Sequence, residues 1–220
     1  MWLWSSCVVC HRNGPSPCEA CVDALRPLAA GELCPPPDGL DGAAALCRYE
    51  GPATSLITSL KYGRHRDAVG ALGAALAVMG GPWLDGATVC WLPALPANRV
   101  QRGFDQAELL ARATTSAAQR MALSPAGAAR LLCRAPAPAE SQVAPTGRNG
   151  GQTGRSRSER LAGPVLRPTG PAPARVIVVD DVTTTGSSLS RAAMALRGAG
   201  ALTVYALCVA ATPCPPPAHR

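Results

Sequence analysis

Lysine is almost absent from this chain of 220 residues: among its 21 lysine and arginine side chains only Lys61 is a lysine. That skew, in a chain also heavy in alanine, glycine and proline, is what a GC-rich genome produces. The formal charge of +7 therefore marks neither a nucleic-acid nor a phosphate partner by itself. Aromatic residues are scarce at 4%, which argues against stacking platforms for single-stranded bases. No run reaches the roughly 18 apolar residues of a membrane span. The opening "MWLWSSCVVC" lacks the charged start and small-residue cleavage site of a signal peptide. These absences lead to the expectation of a cytoplasmic protein with no membrane span.

What is present suffices for a core. At 47% apolar content the chain can build one substantial domain plus a small module. The first 47 residues carry six of the ten cysteines, and prolines and glycines after Ala30 read as a linker. We place a boundary near Leu46, with residues 1–45 as a metal module and linker and residues 46–220 as the main domain.

Without an export signal, the cysteines read as thiols or metal ligands. Cys7, Cys10, Cys18 and Cys21 form two C-x2-C pairs separated by seven residues, a spacing that suits a structural Zn(II) held by four thiolates. "CVVCH" also fits a c-type haem attachment, but that chemistry needs export and leaves the second pair unexplained. Cys34 and Cys47 are spare thiols. Cys90, Cys133 and Cys208 fall on expected strands and read as buried small hydrophobes.

Along the main domain, Pro52 suits a first helical turn, Leu56 and Leu60 lie four apart, and Gly63 is a natural stop. A second helix carries Val69, Leu72, Leu76 and Met79 on one stripe. "ATVCWLPALP" reads as a strand delivering a loop. "GFDQAELLARATTSAAQRM" reads as a helix with Ala107, Leu110 and Ala111 inward, and "RLLCR" as a short strand. Residues 135–173 lose all apolar periodicity, as a linker or functional lid would. "RVIVVDD", "SSLSRAAMALRGAGA" and "LTVYALCVA" then form strand, helix and strand, with Leu189, Ala193 and Leu196 aligned. That is a βαβ unit, so the domain is α/β with a mainly parallel sheet.

The strand "VIVVDD" ends on Asp180 and Asp181, at the sheet edge where α/β proteins bind ligands. Thr183, Thr184, Thr185, Gly186, Ser187 and Ser188 follow, where backbone N–H groups meet a helix start. Carboxylates beside a phosphate cradle conflict electrostatically unless they accept from ribose hydroxyls while the loop takes the 5-phosphate. The stretch resembles the phosphoribosyl-pyrophosphate (PRPP) motif of type I phosphoribosyltransferases. By that resemblance Asp180 and Asp181 take the ribose hydroxyls and Thr183 to Ser188 the phosphate. Thr184 stands where some members carry an aspartate, a suspected base, and threonine cannot fill that role.

"YEGPATSLITSLKYGRHRD" and "LPALPANRVQRGFDQAELLA" are similar to two further segments of the ComF family, amidophosphoribosyltransferase-like proteins associated with DNA uptake. The family's usual Arg-Gly-Phe-Asn-Gln is here Arg102, Gly103, Phe104, Asp105 and Gln106. The resemblance implies a type I phosphoribosyltransferase fold with the four-cysteine zinc module at its N-terminus. It makes Arg99, Arg102 and Lys61 possible pyrophosphate contacts. Within the 135–173 loop, Gln152 and Arg160 match family positions, while Gly163 replaces an expected asparagine. The implied activity is transfer of a phosphoribosyl group from Mg(II)-bound PRPP to a nitrogen nucleophile with release of pyrophosphate. The alternative is a non-catalytic PRPP-binding protein whose partners are single-stranded DNA or competence proteins.

Overall fold

A computed structural model of the chain describes residues 6–28, 37–62, 67–135 and 165–214. Its centre is a five-stranded sheet in the order β1-β7-β6-β2-β3. The strands are β1 (Gly42–Arg48), β2 (Thr88–Trp91), β3 (Gly127–Ala128), β6 (Arg175–Thr183) and β7 (Thr203–Ala211), and every neighbouring pair is parallel. A separate antiparallel pair joins β4 (Leu132–Ala135) to β5 (Val165–Pro168).

The central strands are apolar on both faces because helices cover both. In β6, Ile177 and Val179 enter one cluster with Leu56, Ile57, Leu72, Leu76 and Leu110. Val176 and Val178 enter the other, with Leu189, Ala193 and Leu196. The first face is therefore covered by α2 (Pro52–Tyr62), α3 (Asp67–Gly80) and α5 (Gln106–Arg120), and the second by α6 (Ser187–Gly198). On the first face α3 and α5 pack closely: a Cβ at Gly73 would lie 2.5 Å from the Cβ of Ala113. Two short helices, α1 (Glu19–Asp23) and α4 (Pro96–Arg102), lie outside these layers in sequence, at the Cys-rich segment and after β2.

Three expectations change. The boundary near Leu46 falls inside β1, whose full length pairs with β7, so the segment entering the sheet is longer than its composition indicated. Residues 165–168 of the 135–173 loop are β5, and Ala135 ends β4, so the segments flanking residues 136–164 pair antiparallel. Cys214 is disulfide-bonded, against the reading of every cysteine as thiol or metal ligand. The helical stripes and the parallel β6–α6–β7 unit stand as expected. No helix among the described residues is long and apolar enough to cross a membrane.

Candidate functional site

Residues alternate between faces along a strand, and this separates the two acids of β6. Asp181 follows the side of Ile177 and Val179, towards α2 and α5. Asp180 follows the side of Val176 and Val178, towards α6. The structure thus gives the neighbouring carboxylates different surroundings.

Asp181 is buried, with only 5% of its surface exposed. Its Oδ2 lies 3.2 Å from Lys61 Nζ at the end of α2. The same oxygen accepts from Gln106 Nε2 at 3.1 Å, from the first residue of α5. Gln106 Oε1 in turn accepts from Arg102 Nη1 at 3.0 Å. The Arg102 guanidinium carbon sits 5.0 Å from the centre of the Tyr62 ring, and its Nη2 donates to the Tyr62 hydroxyl at 3.4 Å. Lys61, Arg102, Gln106 and Asp181, from three segments remote in sequence, therefore meet at the carboxyl edge of the sheet. Arg99 lies exposed on the last turn of α4.

Asp180 lines a small cavity of about 60 Å³ with Thr183, Thr184, Thr185, Ser187 and Ser188. Its Oδ1 accepts from the Asp181 N–H at 2.8 Å. Burial and the negative charge of Asp181 push its carboxyl well above the ordinary range, against the opposing pull of that N–H and of Lys61.

The hydroxyl loop turns at Gly186, whose φ of +72° is the left-handed conformation open to glycine. Space also requires glycine there, since a Cβ would run into the Pro37 ring. Thr185 Oγ1 accepts from the Ser187 N–H at 3.4 Å and lies 3.2 Å from Ser187 Oγ, which draws the loop into a compact turn ahead of α6. A wider cavity of about 510 Å³ adjoins it, lined by Pro37, Asp38, Thr185, Ser190 and Arg191.

No sequence motif singled out Arg134, on β4. Its Nε donates to the Pro93 carbonyl at 2.6 Å, anchoring the segment after β2. Burial lowers its affinity for a proton, while the negative charges of Asp180 and Asp105 oppose that, so it belongs electrostatically to the same edge. The only sequence signal was an arginine closing a short strand before the loop. Gln152 and Arg160 lie outside the described residues.

At the N-terminus, the ligand atoms of Cys7, Cys10, Cys18 and Cys21 lie within 4.8 Å of one another. Cys10 and Cys18 sulfurs are 3.6 Å apart, close to the about 3.8 Å edge of a tetrahedron of thiolates around Zn(II). Burial pushes the Cys7 thiol up, but hydrogen bonds from backbone N–H groups, Val9 and Cys18 among them, outweigh it and bring it down to about 6. Cys21 is pushed the other way by burial and by the sulfurs around it. Four sulfurs so placed can all become thiolates only around a cation, so the residues fit a structural metal ion such as zinc. The module is seated on the main domain: Val8 is buried in the cluster of Leu56, Ile57 and Leu60, and Ser59 Oγ donates to the Val8 carbonyl at 2.8 Å.

A scan against protein-family models finds no match, and no curated protein matches significantly.

Proposed function

We propose that this chain is a ComF-type, phosphoribosyltransferase-like protein that binds PRPP with Mg(II) at the carboxyl ends of β2 and β6. One observation carries the reading: Lys61, Gln106 and Asp181, each from a different segment of the resemblance, converge on a single carboxylate oxygen. Segments with no common role have no reason to meet there. Asp180 and Asp181 hold the ribose hydroxyls, and the turn from Thr183 to Ser188 takes the 5-phosphate on its hydroxyls and backbone N–H groups.

Mg(II), bound together with PRPP, would supply neutralisation of the pyrophosphate charge. The chain's own part is to hold the ribosyl carbon where positive charge develops, near carboxylates already fixed in place, while a nitrogen nucleophile displaces pyrophosphate. Thr184 supplies no base, so the acceptor nitrogen must lose its proton elsewhere. That residue also supports a second reading, in which PRPP is held without being consumed and the partner is single-stranded DNA or a competence protein. The four-cysteine cluster holds Zn(II) as a structural ion.

The test is calorimetric titration of PRPP with and without Mg(II) against the unaltered protein and the Asp180→Asn/Asp181→Asn variant. Mg(II)-dependent binding lost in the variant is the expected result; no binding by the unaltered protein defeats both readings. Binding without pyrophosphate release for any nitrogenous base selects the second.

A further inference from the structure

We infer that Lys61 is a positioning residue for Asp181, and does not contact the pyrophosphate of the ligand; the inference rests on the PRPP site proposed above. The contacts form a closed circuit. Lys61 reaches Asp181 Oδ2 at 3.2 Å, Gln106 Nε2 reaches the same oxygen at 3.1 Å, and Arg102 holds Gln106 Oε1 at 3.0 Å. Arg102 also lies against Tyr62, which brings the path back to α2 beside Lys61.

Chemistry fixes the direction of each link. Arginine only donates, so the Gln106 carbonyl must face Arg102 and its amide nitrogen must face Asp181. Asp181 Oδ2 is thereby committed to two donors, and the carboxylate plane is set before any ligand arrives. Lys61 is three-quarters buried with this partner, its side chain 25% exposed against 7% for Asp181. Turning its ammonium to a pyrophosphate would leave a buried carboxylate with one neutral donor, a costly exchange.

The choice of lysine also acquires a physical reason. An oxygen already shared with an amide has room for a compact point donor, whereas a planar guanidinium fork demands two acceptors side by side. In a chain that uses arginine wherever a surface charge suffices, its only lysine stands where a fork does not fit.

The experiment measures dissociation constants for ribose 5-phosphate, inorganic pyrophosphate and PRPP, each with Mg(II), in the unaltered protein, Lys61→Met and Gln106→Leu. A positioning role predicts that Lys61→Met weakens ribose 5-phosphate and PRPP by the same factor, on the order of tenfold, and leaves pyrophosphate unchanged. Gln106→Leu should give the same pattern, although glutamine carries no charge to attract an anion. Loss of pyrophosphate and PRPP affinity with ribose 5-phosphate spared would overturn the inference. So would equal loss of all three ligands accompanied by a fall in Tm. If the unaltered protein binds neither ribose 5-phosphate nor PRPP, the proposed function fails, and a double-mutant cycle of Lys61→Met with Asp181→Asn on unfolding free energy still decides the pairing. Additive effects in that cycle would sink it.

Discussion

Asp105 Oδ2 accepts from the Ala94 N–H at 2.9 Å while its Oδ1 accepts from the Ala107 N–H at 3.2 Å, so one carboxylate both caps α5 and ties down the segment after β2. The side chain is buried, and its removal would leave two N–H groups without their acceptor. Asp105→Ala should cost about 2 kcal/mol, the sum expected from a lost cap and an orphaned donor. Urea unfolding measures this; a change within about 0.5 kcal/mol, as at an ordinary surface site, would show that the loop is held by other means.

Asp180 imposes a pH dependence on the ligand-free fold. Its carboxyl is raised by burial and by Asp181, so between about pH 4 and its native value the folded state keeps a proton that the unfolded chain has released. Stability is thus fully present below about pH 4 and declines as pH rises through the raised native value. Asp105, raised by burial, acts with the same sign. Asp180→Asn retains an acceptor for the Asp181 N–H and removes the partly buried charge. Its Tm at pH 8 should rise by about 3 °C or more, with a flatter profile above about pH 4, while PRPP affinity falls. A lower Tm with the slope unchanged would contradict this account.

The elements set by local chemistry were legible in the sequence. Helix α2 begins at Pro52 because proline fits a first turn, and the apolar stripe of Leu56 and Leu60 faces the core as its spacing required. The β-branched run of β6 and the paired cysteines were equally plain. What escaped were features created by distant partners. Gly42–Arg48, alanine-rich with no β-branched residue, becomes a strand because β7, some 160 residues later, offers an edge to pair with. Pro96, the end of the stretch expected to deliver a loop, instead sits at the start of α4, where its missing N–H costs nothing. The site divided likewise: its acids and hydroxyls could be read along one stretch, but the pairing of Lys61 and Gln106 on Asp181 exists only in three dimensions.

Arg134 invites substitution because its Nε holds the Pro93 carbonyl in the segment between β2 and α4, at the sheet edge proposed to bind PRPP. Arg134→Gln should weaken PRPP about tenfold, and Arg134→Lys should not restore it, since an ammonium cannot copy both the Nε direction and the planar fork. Unchanged affinity in both variants would confine Arg134 to a structural part.

Metal analysis of the purified protein should find about one Zn(II) per chain, and the Cys7→Ser/Cys18→Ser variant should lose it. A protein isolated without metal and folded to the same Tm as the metal-loaded form would refute the structural role.

Val8, lying between two of the clustered cysteines, is also a member of the apolar cluster beneath α2, the helix that ends in Lys61. A metal in the cluster and the proposed ligand would then act on one shared helix, and linkage would make their effects reciprocal. Whatever factor a chelator removes from ligand affinity, saturating ligand must add to metal affinity, so the four-cysteine module would report occupancy of the proposed site.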